Sequence, residues 1–347
     1  MEPPKPKFTW KTVLFPLLGL VGFFLYLYIF QVDITAIIQT AQTANPLFFA
    51  AATACSIIEV LLYTISWRTL TSQLKIKMTL KRAYLYVWYG LYVDIIVPAE
   101  SVSGEITRAY LLTRDQCGPF GKIVASLFTH RLLGMAINVA ILILGVTIFS
   151  TEGQISSAIF NLIIFIATAI AALTAILTIV SFKKTWALKI LNWTTNLANK
   201  ISRGKWTLSK FKEQAIEITN HFHQSMIEYS QNKKPLITSF IYLALTWLFS
   251  LSVPYLVFQS LGYPVSWSII LITAAIVLAV KSIPIGIPFE VGIPEAAMTT
   301  LYIAMGIDPA VAATATILAR IITLWLRFFI GFIAQQYLEL KPAKTKA

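Results

Sequence analysis

Eight stretches of almost continuous apolar residues, separated by short polar segments, dominate the chain. A helix of about 20 apolar residues crosses the hydrocarbon core of a bilayer, which is about 30 Å thick. Two stretches, 83–97 and 267–283, are short for such a crossing. The pattern predicts an all-α, polytopic membrane protein. The stretches span residues 13–30, 46–66, 83–97, 122–149, 157–181, 235–258, 267–283 and 309–337.

The composition excludes a soluble protein, because 57% of the 347 residues are hydrophobic and 12% are charged. The net charge of +13 comes from cations that flank the apolar stretches. This placement favours anionic lipid headgroups of the inner leaflet, and not nucleic acid, as partners. Residues 13–30 follow three lysines and lack a small-residue cleavage site, so we count them as a membrane helix. We expect a multi-pass protein in the plasma membrane of a prokaryote.

The distribution of Lys and Arg predicts which segments face the cytoplasm. Segment 31–45 has no Lys or Arg, whereas 67–82 has five and 182–234 has ten. With the N-terminus in the cytoplasm, a complete crossing by 83–97 would place the ten-cation segment outside. We therefore expect 83–97 to enter the membrane, turn, and return along a short helix to the same side.

The basic tail, residues 338–347, belongs in the cytoplasm by the same rule, and this requires a second re-entrant hairpin. Each half of the chain then has three crossings and one hairpin, so the second half is inverted relative to the first. The predicted organisation is a first repeat at 1–149 with its hairpin at about 83–115, and a second repeat at 150–337 with its hairpin at about 267–306.

A weak internal match supports the two repeats. Glu105, Gly118 and Arg131 follow one another at similar spacings to Glu295, Gly306 and Arg320. Prolines and glycines at the hairpin turns remove backbone donors and permit unusual dihedrals. We expect the two tips to meet near the midplane, with the short helices directing their N-termini at a central site. The predicted turn residues are Pro98, Gly104, Pro284, Gly286, Pro288, Gly292 and Pro294.

Ten ionisable residues fall in or near the apolar stretches. A charge in hydrocarbon costs roughly 2.5–3.5 kcal/mol on insertion scales, so such residues usually face the protein interior and have a partner. An anionic group such as a phosphate suits helix N-termini, with Arg131 and Arg320 as side-chain donors. The ten residues are Glu59, Asp94, Glu100, Glu105, Arg131, Lys281, Glu290, Glu295, Arg320 and Arg327.

Two segments resemble the motifs of a known family, the lysylphosphatidylglycerol synthase transmembrane region, also called the flippase-like domain family. They are VPAESVSGEITRAYLL and IPIGIPFEVGIPEAAMTTLYIAMG, each followed by a helix with an arginine. The resemblance covers nearly the whole chain and implies a membrane domain that moves lipid. It carries family motif positions over to Gly104, Glu105, Arg108, Arg131, Pro284, Pro288, Gly292, Glu295 and Arg320.

The chain departs from this family pattern at two places. Ser103 stands where the first glycine of the first motif is expected. Phe289 and Glu290 replace a pair of glycines in the second motif, so the resemblance implies no role for Glu290. The second turn is therefore expected to be stiffer or differently charged.

Structural roles are the alternatives for these residues. Glu105 and Arg108 have the spacing of a self-neutralising pair on one helix face. Arg131 and Arg320 are candidates for tying down hairpin carbonyls or a glutamate. Long cations near span ends reach the interface, and acids within spans pair with polar groups of neighbouring helices. Lys281 and Arg327 are the candidates for reaching the interface, and a structural pair is a further alternative for Arg327. Asp94 and Glu59 are the candidates for pairing with a neighbouring helix.

The polar segment 182–234 has apolar residues at helical spacing with lysines on the other faces. This pattern predicts amphipathic helices on an anionic inner leaflet, with a partner-docking surface as the alternative. His221 and His223 lie there without further ligands at metal-binding spacing, and His130 points to a different helix face from Arg131. We expect no metal, no cofactor and no catalytic residue.

The leading functional hypothesis is a transporter that moves a lipid, or a lipid-linked anionic substrate, between leaflets by alternating access. One alternative is a membrane-embedded lipid-modifying enzyme with Glu105 or Glu295 as general base. Another is a non-catalytic accessory subunit that recruits a soluble lipid-modifying enzyme. The predicted substrate-binding residues are Glu105, Arg108, Arg131, Glu295, Arg320, Glu290, Lys281 and Glu100.

Overall fold

The computed structural model describes residues 34–97, 102–151, 157–183, 209–281 and 292–340. Within these ranges all regular secondary structure is helical, as the apolar pattern predicts. The helices are α1 (Ile34–Gln42), α2 (Pro46–Gln73), α3 (Leu80–Ile96), α4 (Val102–Arg114), α5 (Phe120–Thr151), α6 (Ser157–Phe182), α7 (Ser209–Gln231), α8 (Lys234–Ser260), α9 (Trp267–Lys281), α10 (Ile293–Ala304), α11 (Pro309–Arg320), a π-helical segment (Ile321–Leu326) and α12 (Arg327–Leu340).

Five helical stretches are long and apolar enough to cross a bilayer, judged by length and composition. They coincide with the predicted spans 46–66, 122–149, 157–181, 235–258 and 309–337 and confirm a multi-pass helical protein. The predicted span 13–30 lies outside the described residues. The five stretches are Pro46–Gln73, Phe120–Gly145, Ile164–Phe182, Lys234–Ser260 and Pro309–Leu340.

The first predicted hairpin is a pair of antiparallel helices, α3 and α4. Helix α3 has 17 residues, which corresponds to about 25 Å and falls short of a full crossing. At one end of the pair, the backbone N–H of Gly104 donates to Asp94. At the other end, Asp115 accepts from Arg82 of α3. The depth of this hairpin in a bilayer stays a prediction.

The second predicted hairpin pairs α9 with α10. Helix α9 has 15 residues, which corresponds to about 22 Å. Its first residue, Trp267, stacks on Tyr255 of α8 with ring centroids 4.3 Å apart. Tyr302, near the end of α10, packs edge-on against Phe258 of α8. Because the start of α9 and the end of α10 contact the same turn of α8, the two helices form a hairpin.

The described chain divides into two compact units. Each unit takes segments from both predicted repeats, 1–149 and 150–337. Compactness and internal symmetry are different properties, so the inverted repeat stays a prediction. The first unit holds residues 34–57, 88–97, 102–104, 249–281 and 292–335, and the second unit holds 58–87, 105–151, 157–183, 209–248 and 336–340.

In the first unit, α12 packs closely on α3. A Cβ atom at Gly331 would lie 2.6 Å from the carbonyl oxygen of Trp88, so the contact requires glycine. Tyr92 of α3 packs against the rings of Phe328 and Phe332 on either side of this contact. Small residues at a helix interface let backbones approach, which is how helices associate in an apolar solvent.

In the second unit, α7 packs on α5 and α2 through its apolar face. Phe222 lies edge-on against Phe128 of α5. Tyr229 is buried and donates to the carbonyl oxygen of Leu70. The apolar face of α7, in the second half of the predicted amphipathic segment, therefore packs on other helices of the protein. The sequence pattern had favoured packing on the lipid surface. Residues 184–208 lie outside the described residues, and contact with anionic lipid stays a prediction.

Gly121 permits the close approach of α5 and α7. A Cβ atom there would overlap the carbonyl oxygen of Ile218 and lie 2.7 Å from Cβ of His221. Gly121→Ala must separate the helices, and we expect it to destabilise the protein by about 1–3 kcal/mol. Thermal unfolding in detergent measures this. Gly134→Ala in the same helix is the control, because a Cβ atom at that position would meet nothing within 4 Å; a Tm for Gly121→Ala at or above the wild-type value would contradict the packing.

Candidate functional site

A buried ion pair at the start of α10 is the centre of the first unit's polar site. Glu295 is 2% exposed and Arg320 is 8% exposed. Arg320 donates through Nε to Oε1 of Glu295 at 2.5 Å. The other carboxylate oxygen, Oε2, accepts from the backbone N–H of Gly292 at 2.7 Å. Both oxygens of Glu295 are therefore used, and the pair ties the start of α10 to α11.

The local sequence explains why α10 starts at this point. Gly292 has a φ of 101°, a conformation that favours glycine. Pro294 occupies the first turn, where its missing N–H leaves no hydrogen bond broken. Glu295 then folds back on the Gly292 N–H as a helix cap. The predicted turn residues Gly292 and Pro294 thus serve to place the Glu295 carboxylate.

A π-helical segment, Ile321–Leu326, follows Arg320 directly. Single π turns inside α-helices occur frequently at functional sites, because the extra residue rotates everything that follows. Arg327 comes next and its Nη2 donates to Oγ of Ser56 on α2 at 3.4 Å. Arg327 therefore has a partner inside the protein, which fits the alternative of a structural pair better than that of a cation reaching for the interface.

A second ion pair occupies the start of α4, in the second unit. Arg131 of α5 donates through Nη1 to Oε2 of Glu105 at 3.1 Å. This pair is more open, since the side chains of Arg131 and Glu105 are 33% and 19% exposed. Glu105 therefore pairs with Arg131, and the alternative of a self-contained pair with Arg108 is wrong.

Asp94 caps the N-terminus of α4. Its Oδ1 accepts from the Ser103 hydroxyl and from the Gly104 backbone N–H, both at 2.7 Å. A Cβ atom at Gly104 would overlap Oδ2 of Asp94 and lie 2.7 Å from the carbonyl oxygen of Gly90, so this position requires glycine. Asp94 pairs with polar groups of a neighbouring helix, as the sequence alternative proposed. Both short helices thus have their N-termini covered by the chain's own carboxylates, Asp94 and Glu295.

The C-terminal ends of α4 and α10 are also alike. The chain leaves each helix through one residue of positive φ, 51° at Gln116 and 87° at Gly306. Each follows its glutamate, Glu105 or Glu295, at the same number of residues. The sequence match paired Gly118 with Gly306, whereas by backbone conformation the equivalent residue is Gln116. The supporting hydrogen bonds run from Cys117 N to Leu112 O and from Ile307 N to Tyr302 O.

Arg108 lies one turn after Glu105 and is 4% exposed. Its guanidinium carbon lies 5.5 Å from the ring centroid of Tyr63 and 5.0 Å from that of Trp67, both on α2. Nη2 donates to the Tyr63 hydroxyl at 3.3 Å. Nη1 is buried and has no acceptor among the described residues. Arg108 therefore lies against two aromatic rings of α2.

His130 is a member of this second site that the sequence did not single out. Its Nε2 lies 3.1 Å from Oγ of Ser66. Its ring meets Tyr63 edge-on, with centroids 4.6 Å apart. The contacts of His130, with Ser66 and Tyr63, differ from that of Arg131, with Glu105. The four-residue spacing of Tyr63 and Trp67 was the one available signal, and it does not distinguish a cation site from ordinary packing.

Other predicted site residues lie apart from these two ion pairs or outside the described ranges. Lys281 ends helix α9. Within the described ranges, no group of three or more His, Cys, Asp or Glu residues is arranged to hold a metal ion. His221 pairs with Glu217 of its own helix at 3.8 Å. The predicted residues outside the described ranges are Pro98, Glu100, Pro284, Gly286, Pro288 and Glu290.

Comparison with known proteins identifies the family of this chain. The profile described as "Lysylphosphatidylglycerol synthase TM region" matches residues 13–331. A UPF0104 membrane protein from Pyrococcus horikoshii is 24% identical over 300 residues, which cover 85% of this chain and 88% of the relative. A UPF0104 membrane protein from Methanocaldococcus jannaschii is 24% identical over 321 residues, covering 91% of this chain and 92% of the relative.

A third relative, a UPF0104 membrane protein from Methanothermobacter thermautotrophicus, is 22% identical over 301 residues, covering 85% of this chain and 87% of the relative. All three relatives come from prokaryotes and match most of the chain. The matched range, 13–331, spans the four residues of the two ion pairs, Glu105, Arg131, Glu295 and Arg320. The chain is a multi-pass membrane protein that belongs to the lysylphosphatidylglycerol synthase TM region family.

Proposed function

We propose that this protein moves a lipid, or a lipid-linked anionic substrate, between the two leaflets of the membrane. The observation that carries the proposal is the Glu295–Arg320 pair, which is buried among apolar helices at the start of a short helix. Ionisable residues at such places in membrane proteins usually mark a substrate or ion pathway. Helix starts directed at a binding site are typical of transporters.

The hydrogen bonds of Glu295 suggest how such a site would work. Its carboxylate accepts from a guanidinium and from a backbone N–H at a helix start. Phosphate oxygens are recognised by these same two donors. A substrate phosphate would therefore compete with Glu295 for Arg320, and the displaced carboxylate would bind a proton. Glu105 and Arg131 offer a second, more open pair for the same exchange.

We also propose that the two hairpins belong to inverted repeats that alternate in access. Each returning helix has a glutamate in its first turn, an arginine partner on the next helix, and a residue of positive φ after its end. Such internal correspondence is typical of transporters built from inverted repeats. In this scheme both termini are cytoplasmic.

The alternatives differ in what they would do to lipid. An enzyme with Glu105 or Glu295 as general base would convert it chemically, but each carboxylate already accepts from an arginine. An accessory subunit would neither move nor convert it. We therefore favour transport without catalysis, with membrane lipid as the substrate.

Reconstitution into liposomes with fluorescent phosphatidylglycerol tests this proposal. A leaflet-impermeant quencher reports movement, and mass spectrometry reports chemical change. We expect Glu105→Gln, Glu295→Gln and Arg320→Ala each to slow movement at least about tenfold, since a hydrogen bond to a charged group contributes roughly 1.5–3 kcal/mol. Glu339→Gln is the control, because this carboxylate is 43% exposed and pairs with Arg114 outside both sites.

Three outcomes would contradict the proposal. Lipid that stays in its leaflet with wild-type protein would favour an accessory role. A new lipid species would favour an enzyme. Movement at the wild-type rate in all three site variants would show that the ion pairs are not the site.

A further inference from the structure

Arg108 carries a buried positive charge that no carboxylate of the described residues neutralises. The guanidinium forms no ion pair with any described residue, and the residue is 4% exposed. Arg131 and Arg320, in contrast, are each neutralised by a glutamate. An anion that binds at either pair must displace a carboxylate, whereas an anion that binds Arg108 displaces none. Within the second unit, Arg108 is therefore the better anchor for an anionic group.

Two aromatic rings explain how this charge is held inside the protein. Tyr63 and Trp67 stand one turn apart on α2, and the guanidinium lies within 5.5 Å of both ring centroids. The faces of such rings attract cations and partly offset the loss of water. They leave the formal charge of Arg108 in place, because a ring carries no net charge. The site thus keeps a full positive charge.

A chain of hydrogen bonds fixes one wall of this site. Oγ of Ser66 lies 2.9 Å from the Ser239 carbonyl oxygen, 2.8 Å from Oγ of Ser239 and 3.1 Å from Nε2 of His130. One hydroxyl has one proton, so when Ser66 donates to the carbonyl, the other two groups donate to it. His130 is then protonated at Nε2, and its orientation holds the Tyr63 ring beside it.

One nitrogen of the guanidinium has no hydrogen-bond acceptor among the described residues. Nη2 is bonded to Tyr63, while Nη1 is buried and has no acceptor among the described residues. A buried donor that lacks an acceptor is unfavourable, particularly on a charged group. Guanidinium groups match the geometry of phosphate oxygens, to which they donate charge-assisted hydrogen bonds.

We propose that Arg108 recognises the phosphate group of an anionic phospholipid, with Tyr63 and Trp67 as the walls of the site and His130 as a positioning residue. The choice of a lipid as the ligand rests on the proposed transport function. Arg108 recognises the phosphate, whereas the Glu–Arg pairs exchange a carboxylate for it during transport. A phosphodiester with one net negative charge matches the charge of Arg108. A zwitterionic headgroup brings its own cation into the site and binds less well.

Binding to the purified full-length protein tests the assignment. The probes are short-chain phosphatidylglycerol, short-chain phosphatidylcholine and inorganic phosphate, titrated against wild type and Arg108→Gln. We expect Arg108→Gln to weaken phosphatidylglycerol binding roughly tenfold to a hundredfold, as loss of a charge-assisted hydrogen bond implies. Arg68→Gln is the matched control, because it removes a partly buried arginine of α2, the helix that carries Tyr63 and Trp67, and this arginine bonds to the Met78 carbonyl oxygen.

Tryptophan fluorescence keeps the test informative if Arg108→Gln does not fold. A ligand on Arg108 must change the environment of Trp67, one of nine tryptophans in the chain. We expect phosphatidylglycerol to shift the emission of wild type and to shift that of Trp67→Phe much less. Equal shifts in these two proteins, or equal affinity in wild type and Arg108→Gln, would overturn the inference.

The remaining outcomes identify the ligand and separate this inference from the transport proposal. If inorganic phosphate binds and this binding depends on Arg108, the site recognises phosphate, and free phosphate is then a source of the ligand. Phosphatidylcholine that binds as tightly as phosphatidylglycerol overturns the charge argument. Arg108-dependent binding without lipid movement in liposomes upholds the site and rejects transport, whereas movement that Arg108→Gln leaves unchanged rejects the site and upholds transport.

Discussion

Arg320→Leu is expected to destabilise the protein by about 3–5 kcal/mol, the range observed when one member of a buried ion pair is removed. The substitution leaves the Glu295 carboxylate 2% exposed and without its guanidinium. The double variant Glu295→Gln with Arg320→Leu removes that charge and keeps an oxygen for the Gly292 N–H. We therefore expect the double variant to recover most of the lost stability.

Reversible unfolding in mixed detergent micelles measures this coupling as a double-mutant cycle. The matched control is Lys122 with Glu228, which lie 3.6 Å apart with side chains 19% and 30% exposed. Partly exposed pairs of this kind contribute about 1 kcal/mol or less. If Arg320→Leu and the double variant are equally unstable, the ion pair does not hold α10 against α11.

Asp115→Asn is expected to have the second large effect, a loss of about 3 kcal/mol or more, because it breaks a buried charged network. The Asp115 side chain is 1% exposed and accepts from Arg82 at 2.5 Å and from Arg114 at 3.1 Å. The Tyr86 hydroxyl also donates to it. An asparagine cannot neutralise two guanidiniums, so the start of α3 and the end of α4 should separate.

Cys117 reports this separation. Burial, and secondarily the Asp115 charge, raise the pKa of the Cys117 thiol, which slows its reaction with maleimide at neutral pH. In a Cys55→Ala background, we expect Asp115→Asn to speed labelling of Cys117, since both causes weaken. Glu339→Gln is the control, because it also removes a partner of Arg114 but is 43% exposed. An unchanged labelling rate in Asp115→Asn would show that the start of α3 and the end of α4 stay together.

The hydrophobic pattern predicted most of the described fold. Of the six long apolar stretches, the five that lie within the described residues are helices, and each of the two short stretches forms the first helix of a hairpin. This success has a simple physical cause: in an apolar solvent the backbone must satisfy its own hydrogen bonds, so a long apolar run has few alternatives to a helix. The ionisable residues in the apolar stretches could also be identified from the sequence. The free-energy cost of placing such a residue in the membrane depends on its type and its depth.

The amphipathic segment shows where the pattern is ambiguous. An apolar face at helical spacing fits a lipid surface or a protein surface equally well. The structure places the apolar face of α7 on α5 and α2, with Tyr229 bonded to Leu70. The contact depends on Gly121, whose significance in the sequence is that of any glycine in a helix.

The choice of partners for the charged residues came from packing. Glu105 has Arg108 one turn away in the sequence and Arg131 on another helix, yet the structure pairs it with Arg131. Arg108 instead lies against Tyr63 and Trp67, which are far from it in the sequence and resemble ordinary residues of an apolar span. No local rule connects residues so distant along the chain.

The secondary structure of each segment and the contacts between segments therefore have different origins in this protein. Apolar runs, prolines, glycines and basic loops act locally through solvation and backbone conformation. Their effects can therefore be predicted for each segment separately. Which guanidinium meets a carboxylate and which meets an aromatic ring depends on how helices from distant parts of the chain pack. These contacts depend on close packing, in which side chains fit together to within a few ångströms, and the order of residues along the chain does not specify that fit.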